Sequence, residues 1–142
     1  MPTRRRLLFA APALLLAACA ETRPGDVAGG RAAHRGVTFV YVGADDCPPC
    51  QAWRKSELPR FEASTLRQRV DFRSVLAAHW SYVGDPYYWP AELAWIRADT
   101  DIARGAPQYV VAKDGKVLLR SFGTGSWKTK VLPLLERLTA AA

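Results

Sequence analysis

The sequence predicts an α/β domain, a mixed β-sheet covered by helices in the order β-α-β-α-β-β-α. Three observations predict it. Residues 37–42 (Val-Thr-Phe-Val-Tyr-Val) form a nearly unbroken run of apolar, β-branched and aromatic residues, as expected of a strand buried on both faces. That run leads into Cys47-Pro48-Pro49-Cys50, whose first proline suits the opening turn of a helix, where a missing N–H costs nothing. Residues 70–76 then read as a second strand, far enough along the chain for the helix to be a crossover between parallel neighbours.

The remaining elements follow in order. The first helix runs through residues 51–55 and ends or kinks near Pro59, since proline disrupts a helix interior. A continuation over 61–69 is polar on most faces, with Phe61 and Leu66 as its inward anchors. Pro90 opens another helix over 90–97. Residues 108–112 and 117–120 are two strands of a hairpin, joined through Lys113-Asp114-Gly115-Lys116 with its Asp-Gly turn. At the end, Val131, Leu134, Leu135 and Leu138 fall on one face of an amphipathic helix. Pro133 lies either inside that helix or near a late start to it.

The N-terminus is read apart from the fold. Arg4-Arg5-Arg6 precedes an apolar stretch over 7–18 that is too short to span a bilayer comfortably and right for a signal peptide. It ends Leu16-Ala17-Ala18-Cys19, which resembles the lipobox of bacterial lipoproteins; that resemblance implies cleavage before Cys19 and acylation of its thiol. The Thr-Arg-Arg-Arg-Leu-Leu opening also resembles a twin-arginine export signal, so the export route stays open. Residues 19–35, rich in Gly, Ala, Arg and Pro without apolar period, read as a flexible tether, and 36–142 as the folded domain. The expected location is the bacterial periplasm, lipid-anchored to a membrane, where disulfides form and persist.

Residues 1–18 hold three arginines and no acid, so the rest carries 17 Lys+Arg against 13 Asp+Glu. The net +4 is modest, and Arg54, Arg60, Arg67, Arg69 and Arg73 are scattered rather than interleaved with aromatics. No nucleic-acid partner is expected. The length beyond residue 18 suits one compact core.

The chemistry rests on Cys47 and Cys50. A sulfur at a helix N-terminus meets unpaired N–H groups and the positive end of the macrodipole, which favour the thiolate, the nucleophile of thiol–disulfide exchange. A second sulfur three residues on can resolve a mixed disulfide. Two other uses of the pair stay open. As a structural staple so small a loop contributes only about 2 kcal/mol. A zinc site needs four ligands, and the chain offers only His34 and His79 besides.

The element order, with C-x-x-C where the first strand meets the first helix, resembles the thioredoxin fold. Arg104-Gly105-Ala106-Pro107, just before the hairpin, resembles the segment that carries the family's cis-proline, and Phe122-Gly123 the family's glycine after the last strand. The similarity covers roughly residues 36–140. It implies that Pro107 lies beside Cys47 and Cys50 and that the Ala106 backbone pairs with an extended substrate segment. With the N-terminal signal, the chain looks most like membrane-anchored extracytoplasmic thiol–disulfide oxidoreductases of this fold. Three positions depart from the pattern. Tyr41 stands where thioredoxins carry a buried Asp, Asp46 replaces the aromatic before the first Cys, and Gln108 follows the proline.

The expected enzyme attacks with Cys47, resolves with Cys50 and needs no cofactor. The helix terminus favours its thiolate, Asp45 and Asp46 oppose it, and Pro48 and Pro49 remove two donors, so the Cys47 pKa should lie moderately below that of free cysteine. That balance leans toward a reductase of client-protein disulfides, fed by a membrane electron-donor protein and acting as a monomer. A disulfide-forming oxidase and a copper-binding chaperone, the latter using both thiolates and His79, are the alternatives. The aromatic segment 79–89 is either a partner surface or a loop packed over the sheet edge. Trp53 is expected in the helix–sheet core.

Overall fold

A computed structural model describes residues 35–98 and 105–140. The expected signal segment, Cys19, His34, nearly all of the tether and Arg104 lie outside the described residues. Four strands form one sheet in the order β2-β1-β3-β4. β1 (Val37–Ala44) pairs in parallel with β2 (Val70–Ala77) and antiparallel with β3 (Gln108–Lys113); β4 (Lys116–Phe122) closes the hairpin with β3. Every residue of β1 is buried, which explains why its sequence is apolar without alternation. The hairpin turn places Asp114 (φ 49°) and Gly115 (φ 76°) in the left-handed region that a tight two-residue turn requires. The same turn clamps the start of β1: the Gly36 N–H donates to Asp114 Oδ1 (2.9 Å) and the Asp114 N–H to the Gly36 carbonyl (3.0 Å).

Three expectations about helices are corrected in detail. The first helix is α1 (Pro48–Ser56), and the break comes at Glu57. Pro59 sits in the first turn of a short α2 (Leu58–Glu62), a place where its missing N–H costs nothing. The continuation over 61–69 is not one helix: Ser64 caps a separate 3₁₀ turn, Thr65–Arg69. Phe61 and Leu66 do pack into the core, Leu66 only partly buried. The helix expected from Pro90 begins as a 3₁₀ turn, Ala91–Leu93, before α3 (Ala94–Ala98). Pro133 lies near the start of α4 (Leu132–Ala140) and is preceded by a π-helical turn, Trp127–Val131. There the Leu132 N–H reaches back to the Trp127 carbonyl, and the wider turn gives the proline ring room that an α-helical turn would deny.

The core on one face of β1 is aromatic. Phe39 lies 5.5 Å from Phe61, 5.3 Å from Phe72 and 5.5 Å from Trp127, ring centre to ring centre. Tyr41 stacks on Trp53 of α1 at 4.3 Å with an interplanar angle of 14°. Trp53 is thus a core residue, as its sequence position suggested. Thr38, Val40 and Val42, which alternate to the other face, are equally buried. Among the described residues, the buried core runs from Val37 to Thr139.

Candidate active site

The C-terminal ends of parallel strands and the N-termini of the helices that follow them meet at one end of the sheet, and there the two cysteines lie. Cys47 is the N-cap of α1 and Cys50 is in its first turn. Pro48 and Pro49 have no N–H to offer, so the first-turn donors are Cys50 and Gln51. The Gln51 N–H goes to the Cys47 carbonyl (3.0 Å), and the Cys50 N–H points at Cys47 Sγ (3.2 Å). The sulfur therefore receives the one free backbone donor of the helix end. The two cysteines are joined as a disulfide with Cα atoms 5.2 Å apart. Cys50 is fully buried, whereas Cys47 keeps 5% of its surface exposed and is the more accessible residue of the pair.

Across from Cys47 Sγ, at 3.6 Å, lies the carbonyl oxygen of Ala106. The Ala106–Pro107 peptide is cis, and the Pro107 carbonyl accepts from the Gly123 N–H (2.9 Å). The fold thus brings Cys47 and Cys50 of one segment together with Ala106 and Pro107 of a second, and Gly123 of a third holds Pro107. Gln108 is buried, and its side-chain amide donates to the Gly105 carbonyl.

No protein-family model matches the chain, and no curated protein matches it. Solved structures do. Thioredoxin of Malassezia sympodialis aligns over 76% of this chain and 81% of its own, at 16% identity and a TM-score of 0.53. The chain has a thioredoxin-like fold. Thioredoxin of Fasciola hepatica (21% identity, 73% and 83% covered, TM-score 0.47) and thioredoxin f of spinach chloroplast (19%, 83% and 87%, 0.47) are also similar.

On this thioredoxin-like frame the electrostatics around the disulfide differ from those expected of a bare acidic pair. Asp45 is paired with Arg54 (3.1 Å). Asp46 accepts from the Trp80 N–H through Oδ1 (2.7 Å) and meets His79 Nε2 through Oδ2 (3.0 Å). Both carboxylates that were expected to oppose a Cys47 thiolate are thus partly compensated. His79 in turn accepts the Ser81 N–H at Nδ1 (3.2 Å). It is a loop-organising residue, engaged with Asp46 and Ser81. Among the described residues, no group of three or more His, Cys, Asp or Glu side chains converges as a metal site.

The aromatic segment divides. Trp89 is buried, its Nε1–H donating to the Val83 carbonyl (2.7 Å), and Tyr88 packs partly against the core. Trp80 (52% exposed), Tyr82 (53%) and Tyr87 (86%) face outward. Trp80 and Phe122 flank Gly105: a Cβ there would touch the two rings at 3.7 and 4.0 Å. Half-exposed rings therefore border the Gly105-Ala106 backbone beside Cys47.

Two features beneath the disulfide escaped sequence reasoning. The Tyr41 hydroxyl donates to the Cys50 carbonyl (3.3 Å), and burial pushes its pKa up to about 12, Arg54 pulling it down and Asp45 adding to the rise. Tyr109, 5.9 Å from Tyr41 ring to ring, has a buried hydroxyl without a hydrogen-bond partner in the structure. Burial, then Tyr41 and Glu57, hold that hydroxyl well above the usual tyrosine range. Tyr41 shares a face of β1 with Val37 and Phe39, but both faces are buried and nothing in sequence paired it with Tyr109.

Proposed function

We propose that this chain is an exported, lipid-anchored thiol–disulfide oxidoreductase that reduces disulfides in client proteins. The observation that carries the reading is the placement of Cys47 Sγ: helix-capping, 3.2 Å from the Cys50 N–H, bonded to Cys50 and 3.6 Å from the Ala106 carbonyl. The N-terminal signal and lipobox resemblance at Cys19 support export and anchoring.

In the reduced protein, the Cys47 thiolate attacks one sulfur of a client disulfide. A mixed disulfide forms and the first client sulfur leaves as thiolate. Cys50 then gives up its proton and attacks Cys47 Sγ, which releases the second client sulfur. The client gains two electrons and takes up two protons, one released by Cys50 and one from the water to which Cys47 lost its own, and Cys47–Cys50 closes as the disulfide. The Cys50 N–H stabilises charge on Cys47 when it is the nucleophile. A membrane dithiol donor would restore the reduced pair. The Gly105-Ala106 backbone, bordered by Trp80 and Phe122, is the surface along which an extended client segment would lie.

A disulfide-forming oxidase is the second reading, favoured by one observation: the Asp45–Arg54 pair removes part of the repulsion that would destabilise a thiolate. Equilibration of Cys47/Cys50 with a thiol buffer decides. A potential of about −200 mV or lower supports the reductant, and a value near about −120 mV makes it an oxidant. Cys47→Ser should reduce insulin no faster than buffer; wild-type-like turnover in that variant would exclude both readings.

A further inference from the structure

We infer that the end of the domain opposite the disulfide is a docking surface for anionic phospholipid head groups. Register places four cations at that end. Val37 pairs with Val70 on one side and Lys113 on the other, and Lys113 pairs with Lys116. Arg35 lies two residues before β1, and Arg69 immediately precedes β2. None of Arg35, Arg69, Lys113 and Lys116 is ion-paired among the described residues. The carboxylates nearby are engaged or off to the side. Asp114 accepts from the Gly36 N–H, Asp71 is paired with Arg73 (2.8 Å), and Glu136 lines the neighbouring cleft.

Arg69 and Lys113 line a recess of about 470 Å³ together with Gly36, Val37, Leu138 and Thr139. Apolar surface bordered by unpaired cations suits a head group with its phosphate at the rim. The segment that carries the apolar stretch over 7–18 and Cys19 joins the domain here, at Gly36. Chain entry and charge thus point to the same surface. β1 crosses eight residues, about 26 Å, before the cysteines. A bilayer held at this end leaves the disulfide facing the aqueous compartment, where clients are. This inference rests on the anchoring half of the proposed function and not on the redox reading.

The test uses the fragment 35–142, which holds the buried core of the described residues and lacks the segment expected to be acylated, with near-ultraviolet circular dichroism first showing that it folds. It is sedimented with vesicles of phosphatidylglycerol in phosphatidylcholine and with vesicles of phosphatidylcholine alone. Binding to the anionic vesicles only, weakening as salt rises, is expected. The triple variant Arg69→Gln/Lys113→Gln/Lys116→Gln should bind about 100-fold more weakly, at about fivefold per cation. The same change at Lys55, Lys128 and Lys130, outside this cluster, should leave most of the binding in place. Near-ultraviolet circular dichroism and the Cys47/Cys50 potential report that each variant is folded. Equal binding to both vesicles, equal loss in the two triple variants, or duplex DNA bound as tightly as the anionic vesicles would overturn the assignment.

Discussion

The hydroxyl of Tyr41 occupies the space that a side chain at Gly43 would need. A Cβ at Gly43 would lie 2.5 Å from Tyr41 Oη and 2.7 and 2.8 Å from the next two ring atoms. The absent side chain is what lets Tyr41 fold under α1 and donate to the Cys50 carbonyl. Gly43→Ala should therefore cost about 1–3 kcal/mol, the range for overpacking a filled core. Because ring carbons clash as well as the hydroxyl, the cost should persist in a Tyr41→Phe background. Urea unfolding of the two Gly43→Ala proteins checks this, and a penalty that disappears with Phe would refute the packing argument.

Tyr109 invites the opposite change. Its hydroxyl is buried without a partner in the structure, so the folded state carries a desolvation cost that the unfolded chain does not. Tyr109→Phe should stabilise the protein by about 1 kcal/mol, read as a higher urea midpoint at unchanged slope. A drop in stability would mean that the hydroxyl has a partner, such as a buried water.

The tyrosines also set an alkaline limit. Tyr41 is raised from about 10 when unfolded to about 12 when folded, chiefly by burial. Between those values the unfolded chain binds fewer protons than the native one, so stability falls as pH rises. The contribution is fully present below pH 10 and is lost as pH rises through about 12, at about 1.4 kcal/mol per unit. Tyr109 acts in the same direction. Urea titrations from pH 8 upward should show this fall, and Tyr41→Phe should flatten it; an unchanged slope in that variant would remove Tyr41 from the account.

Asp46 has two separable effects, one through its hydrogen bond and one through its charge. Asp46→Asn keeps an acceptor for the Trp80 N–H but removes the negative charge beside Cys47. Asp46→Ala removes both. Alkylation of reduced Cys47 by iodoacetamide near neutral pH should be accelerated in both variants, since a thiolate is then less opposed. Amide exchange at Trp80 should accelerate only in the Ala variant. If Asn frees Trp80 equally, the anchoring comes from the His79 pair.

Parts of the fold were legible because they depend on short-range pattern. The unbroken apolar run of β1 identifies a central strand, and Asp114-Gly115 can adopt the left-handed conformations a tight hairpin turn needs. The Cys47–Cys50 spacing, set at a strand-to-helix junction, marked the candidate site. Helix type was less legible: 61–69 and 90–97 carry helical composition but lack periodic stretches long enough for one continuous α-helix, and packing divides them between short α-helical segments and 3₁₀ turns. The aromatic segment 79–89 could not be divided in advance, because its tryptophans and tyrosines have the same composition whether buried, as Trp89 is, or exposed, as Trp80 is.

By itself the sequence determined the strand order along the chain, the hairpin turn and the pair of sulfurs at a helix start, all consequences of residues a few positions apart. Tertiary structure alone decided which distant groups surround those sulfurs. Ala106, 59 residues from Cys47, brings a carbonyl to its Sγ; Asp46 reaches 34 residues on to hold Trp80; and Tyr41 and Tyr109 meet across neighbouring strands beneath Cys50. Such contacts arise when the sheet and helices close on a shared core, where strand register and buried volume select one partner among many. Local sequence does not encode that choice.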